Sequence, residues 1–279
     1  MAIMSWIRTF PLMQYFMTYT QDVFTNILKT GPVPQHVAFV MDGNRRFARM
    51  RKMEVKEGHS AGFESLAHIL EMCYQVGIKV VTVYAFSIEN FKRPPVEVDA
   101  LMEIARTKLL QMIHHGDLAD RFGISIRILG QRKMIPADVL AVIDQSMEMT
   151  KNNKTAILNI CFPYTSRDDI ACSMQDIVEL AEKKQLSPED IDMIDEKTME
   201  DHMFTKDCPP LDILVRTSGV ERFSDFMLWQ GHQDCTVEFV DCLWPDFDPW
   251  RFAQILLRWG RNKALELKGK EIESDMKAV

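Results

Sequence analysis

Six short apolar runs punctuate the chain, and each has the length and composition of a buried β-strand. They are His36–Met41, Lys79–Phe86, Ile124–Leu129, Thr155–Cys161, Leu211–Val215 and Thr236–Val240. Valine, isoleucine and phenylalanine are common in them, and several runs are apolar nearly throughout, which is typical of strands covered on both faces. The pattern predicts a sheet buried between layers of helices.

The stretches between these runs change to a helical period. Residues 58–76 place apolar side chains at three- and four-residue spacing, and Glu97–Arg121 repeats the pattern. Similar stretches lie near residues 137–150, 168–184 and 249–267. Strands that alternate with helices predict an α/β fold with about six mostly parallel strands and right-handed crossovers.

The chain divides into one long region with two short ends. It has 279 residues, 47% of them hydrophobic, and no Pro-, Gly- or Ser-rich stretch interrupts it, so one large core is expected. Thr9–Gln21 is uncharged but is shorter than the ~20 apolar residues that cross a bilayer. It fits an amphipathic segment at a membrane interface or a helix packed on the protein's own surface. We predict an N-terminal amphipathic segment over 1–33, a single domain over 34–268 and a tail over 269–279.

Unusual polar sequence follows the predicted strands, where an open α/β sheet binds its ligands. The loops after the first, second, fourth, fifth and sixth strands contain, in that order, Asp42–Arg46, Ser87–Arg93, Phe162–Tyr164, Arg216–Gly219 and Leu243–Phe247. Because parallel strands share one carboxyl edge, these loops should gather on one rim. We predict that this rim is the functional site.

The loop after the first strand has the residues of a magnesium–diphosphate site. Asp42 offers a carboxylate suited to Mg²⁺, and Gly43 lets backbone N–H groups approach a ligand. Asn44 opens a predicted helix whose first N–H groups favour anions. Arg45 and Arg46 add donors that match phosphate oxygens. Asp-Gly can also form a hairpin turn, but the following sequence does not alternate as a returning strand would.

Arginines after two other strands predict a second anion site. Arg93 ends the second loop, and the fifth contributes Arg216, Arg222 and Ser224. The net charge of −7 argues against general nucleic-acid binding. The basic run over residues 45–56 fits a small anion or a solvated helix face.

Other common activities lack their motifs. There is no G-x-G-x-x-G or Walker sequence, which argues against nucleotide sites of those types. The six cysteines form no C-x-x-C pair, and we interpret them as reduced, buried thiols. The Met-, Leu- and Ile-rich helices fit plain core or the wall of a lipid-chain channel, and composition leaves both open.

Five motifs occur in a fixed order between about Pro34 and about Trp259. They are His36–Arg46, Tyr84–Arg93, Arg216–Gly219, Ser224–Gln230 and Leu243–Phe247. Together they resemble the signatures of the cis-prenyltransferase (undecaprenyl diphosphate synthase) family, and Arg45-Arg46-Phe47 matches its eukaryotic branch. The resemblance implies a transferase with a parallel sheet flanked by helices. It would condense isopentenyl diphosphates onto farnesyl diphosphate to give long-chain dehydrodolichyl (polyprenyl) diphosphate, the dolichol precursor for protein glycosylation.

The resemblance also implies a role for each matched residue. Asp42 would bind Mg²⁺ and help to ionise the allylic diphosphate, and Asn44 would also assist proton removal. That diphosphate would be cradled by Gly43, Asn44, Arg45 and Arg46. Isopentenyl diphosphate would be held by Arg93, Arg216, Arg222 and Ser224. The site would be completed by His59, Phe86, Ser87 and Asn90.

Two departures from the family pattern indicate a partner. The magnesium-binding Glu of bacterial members has no counterpart in Gly231–Thr236, and the Arg-x-Gly motif of single-subunit members is missing from its expected place. The similar triplet Arg258–Gly260 comes about two helical turns too early. The resemblance therefore implies a heteromer with a second homologous subunit that resembles the membrane-anchored Nogo-B receptor.

Such a partner would place the enzyme on the cytosolic face of the endoplasmic reticulum membrane, with peripheral membrane association. Two rival hypotheses stay open. One is a partner-independent homodimer of the same family. The other is a non-catalytic scaffold subunit, against which Asp42 and its neighbouring arginines argue.

Overall fold

A six-stranded sheet runs through the protein. Its strands are β1 (His36–Val40), β2 (Val80–Tyr84), β3 (Ile124–Leu129), β4 (Ala156–Cys161), β5 (Ile213–Thr217) and β6 (Thr236–Val240), in the order β3-β4-β2-β1-β5-β6. Every pairing is parallel, so the predicted α/β sheet is confirmed. The computed structural model describes residues 25–114, 117–184 and 186–277. The segment predicted over 1–33 therefore lies mostly outside the described residues.

Helices flank the sheet. They are α1 (Asn44–Met50), α2 (Val55–Val76), α3 (Pro95–His114), α4 (Asp117–Phe122), α5 (Ala137–Thr150), α6 (Ser166–Lys184), α7 (Pro188–Asp192), α8 (Glu196–Glu200) and α9 (Pro249–Lys277). The long predicted helices are confirmed, whereas the five-residue α7 and α8 are too short to show a period. Among the described residues, no helix combines the length and apolar content that a bilayer span requires.

The last helix is longer than predicted. We expected α9 to end at residue 267, but it continues to Lys277. Its exposed part carries ion pairs from Glu266 to Lys263 at 3.0 Å and to Lys270 at 2.6 Å. Such pairs stabilise a helix without help from the core, so the apolar pattern underestimates its length. The predicted domain boundary at residue 268 falls inside this helix.

Strand β5 lies two residues further along than predicted. We expected the strand to stop at Val215, but Arg216 and Thr217 belong to it and pair with β6. Arg216 is only 2% exposed, because it finds polar partners at the rim. A buried arginine of this kind breaks the apolar pattern from which the strand was predicted.

The connection from β5 to β6 is irregular. Residues 218–235, which we call the β5–β6 crossover, are all described and contain no helix. Four non-glycine residues there have positive φ: Ser218 (86°), Ser224 (52°), Asp225 (59°) and Met227 (46°). Parallel strands are usually joined through a helix, and non-glycine residues rarely adopt this backbone conformation. We predicted no helical stretch between the fifth and sixth strands, and the structure has none there.

Three buried polar side chains also form a hydrogen-bond network within the sheet. The buried His36 has its Nε2 atom 2.7 Å from the Thr82 hydroxyl, and Asn159 donates to that same hydroxyl at 3.1 Å. Burial lowers the pKa of His36 to about 4, although a hydrogen bond to the Pro209 carbonyl opposes the shift. The histidine is therefore neutral at physiological pH.

All six cysteines are free thiols. Cys73 and Cys161 are buried, as predicted. The other four are only partly buried, because they lie at the margins of the apolar runs: Cys172, Cys208, Cys235 and Cys242.

Candidate active site

A cavity of about 910 Å³ opens at the carboxyl edge of the sheet. Its polar part is formed by the predicted site residues Asp42, Asn44, Arg45, His59, Phe86, Ser87, Asn90, Arg93, Arg216, Arg222 and Ser224. Its apolar part is formed by α2, α3, α5 and the sheet, with Leu66, Leu70, Leu109, Ile128, Ile143 and Leu158. The structure thus brings most of the predicted residues to one cavity, and the apolar helices form a channel wall as well as core.

Gly43 and Arg46 were predicted at this site but do not line the cavity. Gly43 precedes α1 with φ of 110°, and a Cβ atom there would lie 2.9 Å from Leu243 Cδ2. Glycine is therefore required both for the backbone conformation and for the close approach. Arg46 donates to the Ser218 carbonyl at 3.2 Å and pairs with Asp42 at 3.5 Å. Both residues shape the loop Asp42–Arg46, which we call the β1 loop.

The β1 loop is fixed by close packing on α2 and on the loop after β6. A Cβ atom at Gly62 would lie 2.3 Å from Asn44 Oδ1, so α2 needs glycine where α1 begins. Trp244, which is buried, donates its indole N–H to the Gly62 carbonyl at 2.7 Å and its backbone N–H to the Asp42 carbonyl at 2.9 Å. The carboxylate of Asp42 is therefore held on a rigid support.

Asp42 faces two arginines. Arg216 Nη2 donates to its Oδ2 atom at 2.9 Å, and Arg46 Nη2 lies 3.5 Å from its Oδ1 atom. Burial raises the pKa of Asp42, but the neighbouring Ser218 hydroxyl and Arg216 outweigh burial, and the pKa is below its usual value. The Ser218 hydroxyl makes no hydrogen bond of regular geometry, so we ascribe the lowered pKa mainly to the arginine. The carboxylate is ionised at neutral pH.

Arg216 joins the β1 loop to the β5–β6 crossover. Its side chain is 3% exposed, and besides Asp42 it donates from Nη1 to the Arg222 carbonyl and the Ser224 hydroxyl, both at 2.6 Å. Arg222 Nε also donates to the Ser224 hydroxyl, at 3.2 Å. The predicted grouping of Arg216, Arg222 and Ser224 is therefore present in the structure.

The loop after β2 carries Arg93 on a compact turn. The Ser87 hydroxyl accepts the Glu89 N–H at 3.2 Å, and the Asn90 side chain accepts the Ser87 N–H at 3.1 Å. Ser87 and Asn90 thus build the turn as well as line the cavity. Phe86 is buried and packs on Phe162 with ring centroids 5.3 Å apart.

Glu97 is a residue that the sequence analysis missed. It pairs with Arg93 at 2.9 Å and with Arg45 at 3.3 Å. We had predicted that these two arginines bind different diphosphates, yet they share one carboxylate. The i,i+4 spacing from Arg93 to Glu97 was a signal for the first contact, but no local pattern connects Glu97 to Arg45.

Glu89 and Asp225 are two further missed residues, and both line the cavity. Each stands inside a motif that we had identified, but neither carboxylate was assigned a role. A carboxylate repels an anionic ligand. Residue type alone therefore gave no reason to assign Glu89 or Asp225 to a predicted anion site.

Several buried polar atoms at the site have no hydrogen-bond partner within the described structure. They include Asn44 Oδ1, His59 Nε2 and Arg216 Nε. Burial lowers the pKa of His59 to about 4, helped by Arg93 and Arg45 and opposed by Glu97. Orphaned buried atoms are costly and rare, and here they collect around one cavity. A polar ligand would satisfy them.

The chain is similar to known proteins along most of its length. Residues 40–265 match the sequence model of the prenyltransferase family described as "Putative undecaprenyl diphosphate synthase". A dehydrodolichyl diphosphate synthase complex subunit of Schizosaccharomyces pombe is 50% identical over 254 residues, which cover 91% of this chain and 95% of that protein. The corresponding Homo sapiens complex subunit is 40% identical over 272 residues, which cover 98% of this chain and 79% of the human protein.

Solved structures show the same fold. The crystal structure of lavandulyl diphosphate synthase from Lavandula x intermedia, in complex with dimethylallyl diphosphate, has a TM-score of 0.76 at 31% identity and covers 81% of this chain and 95% of that chain. A structure described as a probable undecaprenyl diphosphate synthase from Campylobacter jejuni has a TM-score of 0.65 at 24% identity. The second likeness supports the fold alone.

Proposed function

This chain belongs to the undecaprenyl diphosphate synthase family of prenyltransferases, and we propose that it is a cis-prenyltransferase that makes dehydrodolichyl diphosphate. It condenses several isopentenyl diphosphates onto farnesyl diphosphate to give a long polyprenyl diphosphate, the precursor of dolichol for protein glycosylation. In each round a carbon–carbon bond forms at the allylic carbon, diphosphate leaves that carbon, and the isopentenyl unit loses a proton.

The observation that carries this proposal is a cavity with arginine at one end and hydrocarbon at the other. Arg45, Arg93, Arg216 and Arg222 line the polar part, and apolar side chains of α2 and α3 line the rest of the 910 Å³. Arginine forks match diphosphate oxygens, and the apolar wall suits a prenyl chain. The volume lies within the range of small-molecule sites.

We assign the residues as the family resemblance implies. Asp42 and Asn44 are catalytic, and the allylic diphosphate is cradled by Gly43, Asn44, Arg45 and Arg46. Isopentenyl diphosphate is held by Arg93, Arg216, Arg222 and Ser224. The remaining contacts come from His59, Phe86, Ser87 and Asn90. All of these residues except Gly43 and Arg46 line the cavity, and Arg216 donates hydrogen bonds to Ser224 and Asp42. The clamps would set the attack geometry.

Mg²⁺ is the proposed cofactor. The ionised Asp42 carboxylate and the orphaned Asn44 Oδ1 atom are oxygen donors on two residues that line the cavity. Mg²⁺ typically takes one or two carboxylates together with substrate phosphate oxygens, so this donor set fits it. When bound, the cation would stabilise the charge on the leaving diphosphate. Asp42 would hold it, and the neighbouring arginines would hold the diphosphate.

The test is incorporation of labelled isopentenyl diphosphate into extracted polyprenyl product, with farnesyl diphosphate and Mg²⁺ present. We expect Asp42→Ala to reduce incorporation by ~10³-fold or more, because it removes the cation ligand. Asp144→Ala is the matched control, since this exposed carboxylate on α5 pairs with Arg132 and does not line the cavity. Equal incorporation by wild type and Asp42→Ala would contradict the proposed function.

We further propose that the chain works with a second, homologous subunit. The phrase "complex subunit" in the relatives' names supports the presence of a partner. The triplet Arg258–Gly260 is occupied within this chain: Trp259 is buried, and Arg258 pairs with Glu238 at 2.8 Å. It is thus engaged in its own fold. A Nogo-B-receptor-like partner would supply the missing motif and hold the complex at the cytosolic face of the endoplasmic reticulum. Full activity of the pure chain would contradict this dependence.

A further inference from the structure

The segment that joins β4 to α6 lies between two loops of the proposed isopentenyl diphosphate site. On one side, Tyr164 forms a parallel bridge with Ser87 in the loop after β2. On the other side, the Ser166 N–H donates to the Asp225 carbonyl at 2.7 Å, and the Ser166 hydroxyl accepts the Leu228 N–H at 2.9 Å. A side chain at the start of α6 can therefore contact both loops.

Arg167 is the charged residue at this position. Its backbone N–H donates to Asp225 Oδ1 at 3.0 Å, and its Nε atom donates to Oδ2 at 2.7 Å. Its Nη2 atom also lies 3.7 Å from Glu89 Oε1. The Asp225 side chain is 14% exposed, whereas Arg167 is 72% exposed and does not line the cavity. One guanidinium thus faces a carboxylate from each loop.

The two carboxylates pose an electrostatic problem for the site. Glu89 and Asp225 line the cavity in which a diphosphate would bind, and like charges repel strongly where burial excludes water. Arg167 offsets this negative charge from outside the cavity, so its side chain does not occupy the space in which the substrate would bind. No role was assigned to this arginine by the motif comparison.

The contact between Arg167 and Asp225 also affects the backbone conformation of the β5–β6 crossover. Ser224 and Asp225 both have positive φ, 52° and 59°, a conformation that persists only when the surroundings enforce it. The two hydrogen bonds from Arg167 fix the Asp225 side chain. Ser224 is the adjacent residue, and its hydroxyl accepts hydrogen bonds from Arg216 and Arg222.

We propose that Arg167 is a positioning residue of the isopentenyl diphosphate site, acting through Asp225 and Glu89. It holds the β5–β6 crossover and the loop after β2 in register. It pairs with Asp225 and shares Glu89 with Lys92. The inference rests on the proposed function, because it assumes that these loops bind isopentenyl diphosphate. It adds a residue from a third segment of the chain to that site.

The test compares Arg167→Gln in two backgrounds, wild type and Asp225→Asn. The full chain is used in the complex in which it is isolated, and calorimetry gives the Kd for isopentenyl diphosphate while kinetics gives KM and kcat. In the wild-type background we expect Arg167→Gln to raise the Kd and KM for isopentenyl diphosphate about fivefold, with kcat and the KM for farnesyl diphosphate nearly unchanged. In the Asp225→Asn background the rise should shrink to about twofold or less, since the main partner is gone.

Two further variants separate positioning from general stability. Arg167→Lys keeps the charge but loses the fork, so it should restore part of the affinity. Arg106→Gln is the matched control, because Arg106 makes two hydrogen bonds to Glu103 outside the cavity lining, and its Kd should equal that of wild type.

The inference is overturned if Arg167→Gln behaves like Arg106→Gln, or if its effect is the same in both backgrounds. An equal rise in the KM of both substrates also counts against it, since that pattern reports a general loss of structure. A wild-type complex that neither binds isopentenyl diphosphate nor transfers it would overturn the proposed function together with the inference. Wild-type transfer with an unchanged Arg167→Gln variant overturns the inference alone.

Discussion

The β1 loop and the β5–β6 crossover meet at one cavity, but they are built in opposite ways. The β1 loop uses glycine where its backbone has positive φ, and it leads at once into the regular helix α1. The crossover places serine, aspartate and methionine in the same backbone region and contains no helix. Distant segments hold both loops, but the β1 loop has Gly43 at its position of positive φ, whereas the crossover keeps side chains at four such positions.

The difference follows from what each loop presents to the cavity. Gly43 contributes backbone and close packing, so a side chain is not needed and would collide with Leu243. Ser224 contributes a hydroxyl that accepts from two arginines, so glycine cannot replace it without loss of that contact. Strain of this kind is tolerated at functional sites when the surroundings enforce the conformation.

The largest effect is expected from substitution of Arg216, which joins the β1 loop to the β5–β6 crossover. Arg216→Lys keeps the charge, but one ammonium cannot reach Asp42, Ser224 and the Arg222 carbonyl together. Loss of about two charge-assisted hydrogen bonds should lower kcat/KM for isopentenyl diphosphate ~100-fold. Steady-state kinetics would check this, with Arg106→Lys as a control outside the cavity. Similar kinetics for the two variants would contradict the joining role.

Two costs of a side chain at Gly43, that of positive φ and that of crowding against Leu243, can be measured separately. Gly43→Ala should reduce the free energy of unfolding by about 2–3 kcal/mol, since it combines positive φ with a Cβ atom 2.9 Å from Leu243. Gly77→Ala is the matched control: its φ is 106°, but nothing lies within 4 Å of the new atom, so ~1 kcal/mol is expected. Equal losses in denaturant titrations would show that crowding at Leu243 contributes nothing.

Acid should destabilise the β1-loop side of the site through His59. The pKa of His59 in the folded protein is about 4, below the unfolded value of about 6.5. The unfolded state therefore takes up the proton first, and stability that is full above pH 6.5 is lost as the pH falls towards 4. At pH 5 the loss is about 2 kcal/mol.

Denaturant titrations at pH 7 and pH 5 would check this pH dependence. His59→Gln should lose about 2 kcal/mol less than wild type between the two pH values. The residual acid sensitivity of His59→Gln should come from the buried His36, whose pKa is also about 4. An unchanged pH dependence in His59→Gln would refute the assignment.

The smallest effect concerns the strain at the start of the crossover. Ser218 has φ of 86° and a buried hydroxyl without a regular hydrogen bond. Ser218→Gly should therefore raise the free energy of unfolding by about 1 kcal/mol, measured by thermal unfolding. Activity should fall, because glycine makes the backbone at residue 218 more mobile, and the Ser218 carbonyl accepts a hydrogen bond from Arg46, which pairs with Asp42. A gain in both stability and activity would show that the strain has no function.

The sequence was sufficient for the alternation of strands and helices. Strands β3 and β6 have the predicted bounds, and α5 begins and ends where the period does. The error at β5 occurs where one partner of a buried side chain is far away in sequence. Arg216 was placed outside β5 because nothing nearby in the sequence indicates that Asp42 and Ser224 would satisfy a buried guanidinium.

The residues of the candidate site likewise fall into two groups, those identified from local sequence and those that were missed. Asp42, Gly43 and Asn44 were identified from consecutive residues, because a strand end, a glycine and a helix start form a local pattern. Glu97 and Arg167 were missed, because their contacts with Arg45 and Asp225 join segments separated by about 50 residues or more. Pattern rules that compare neighbouring residues cannot find such pairs.

By itself, the sequence determined the layers of the fold and the edge at which the ligand loops collect. Those properties follow from the period of apolar residues and from the parallel direction of the strands, and both are encoded locally. The tertiary structure alone decided which charges face each other: Arg216 with Asp42, Glu97 with two arginines, and Arg167 with Asp225. Electrostatic pairing depends on distance in space, and only the folded chain sets that distance.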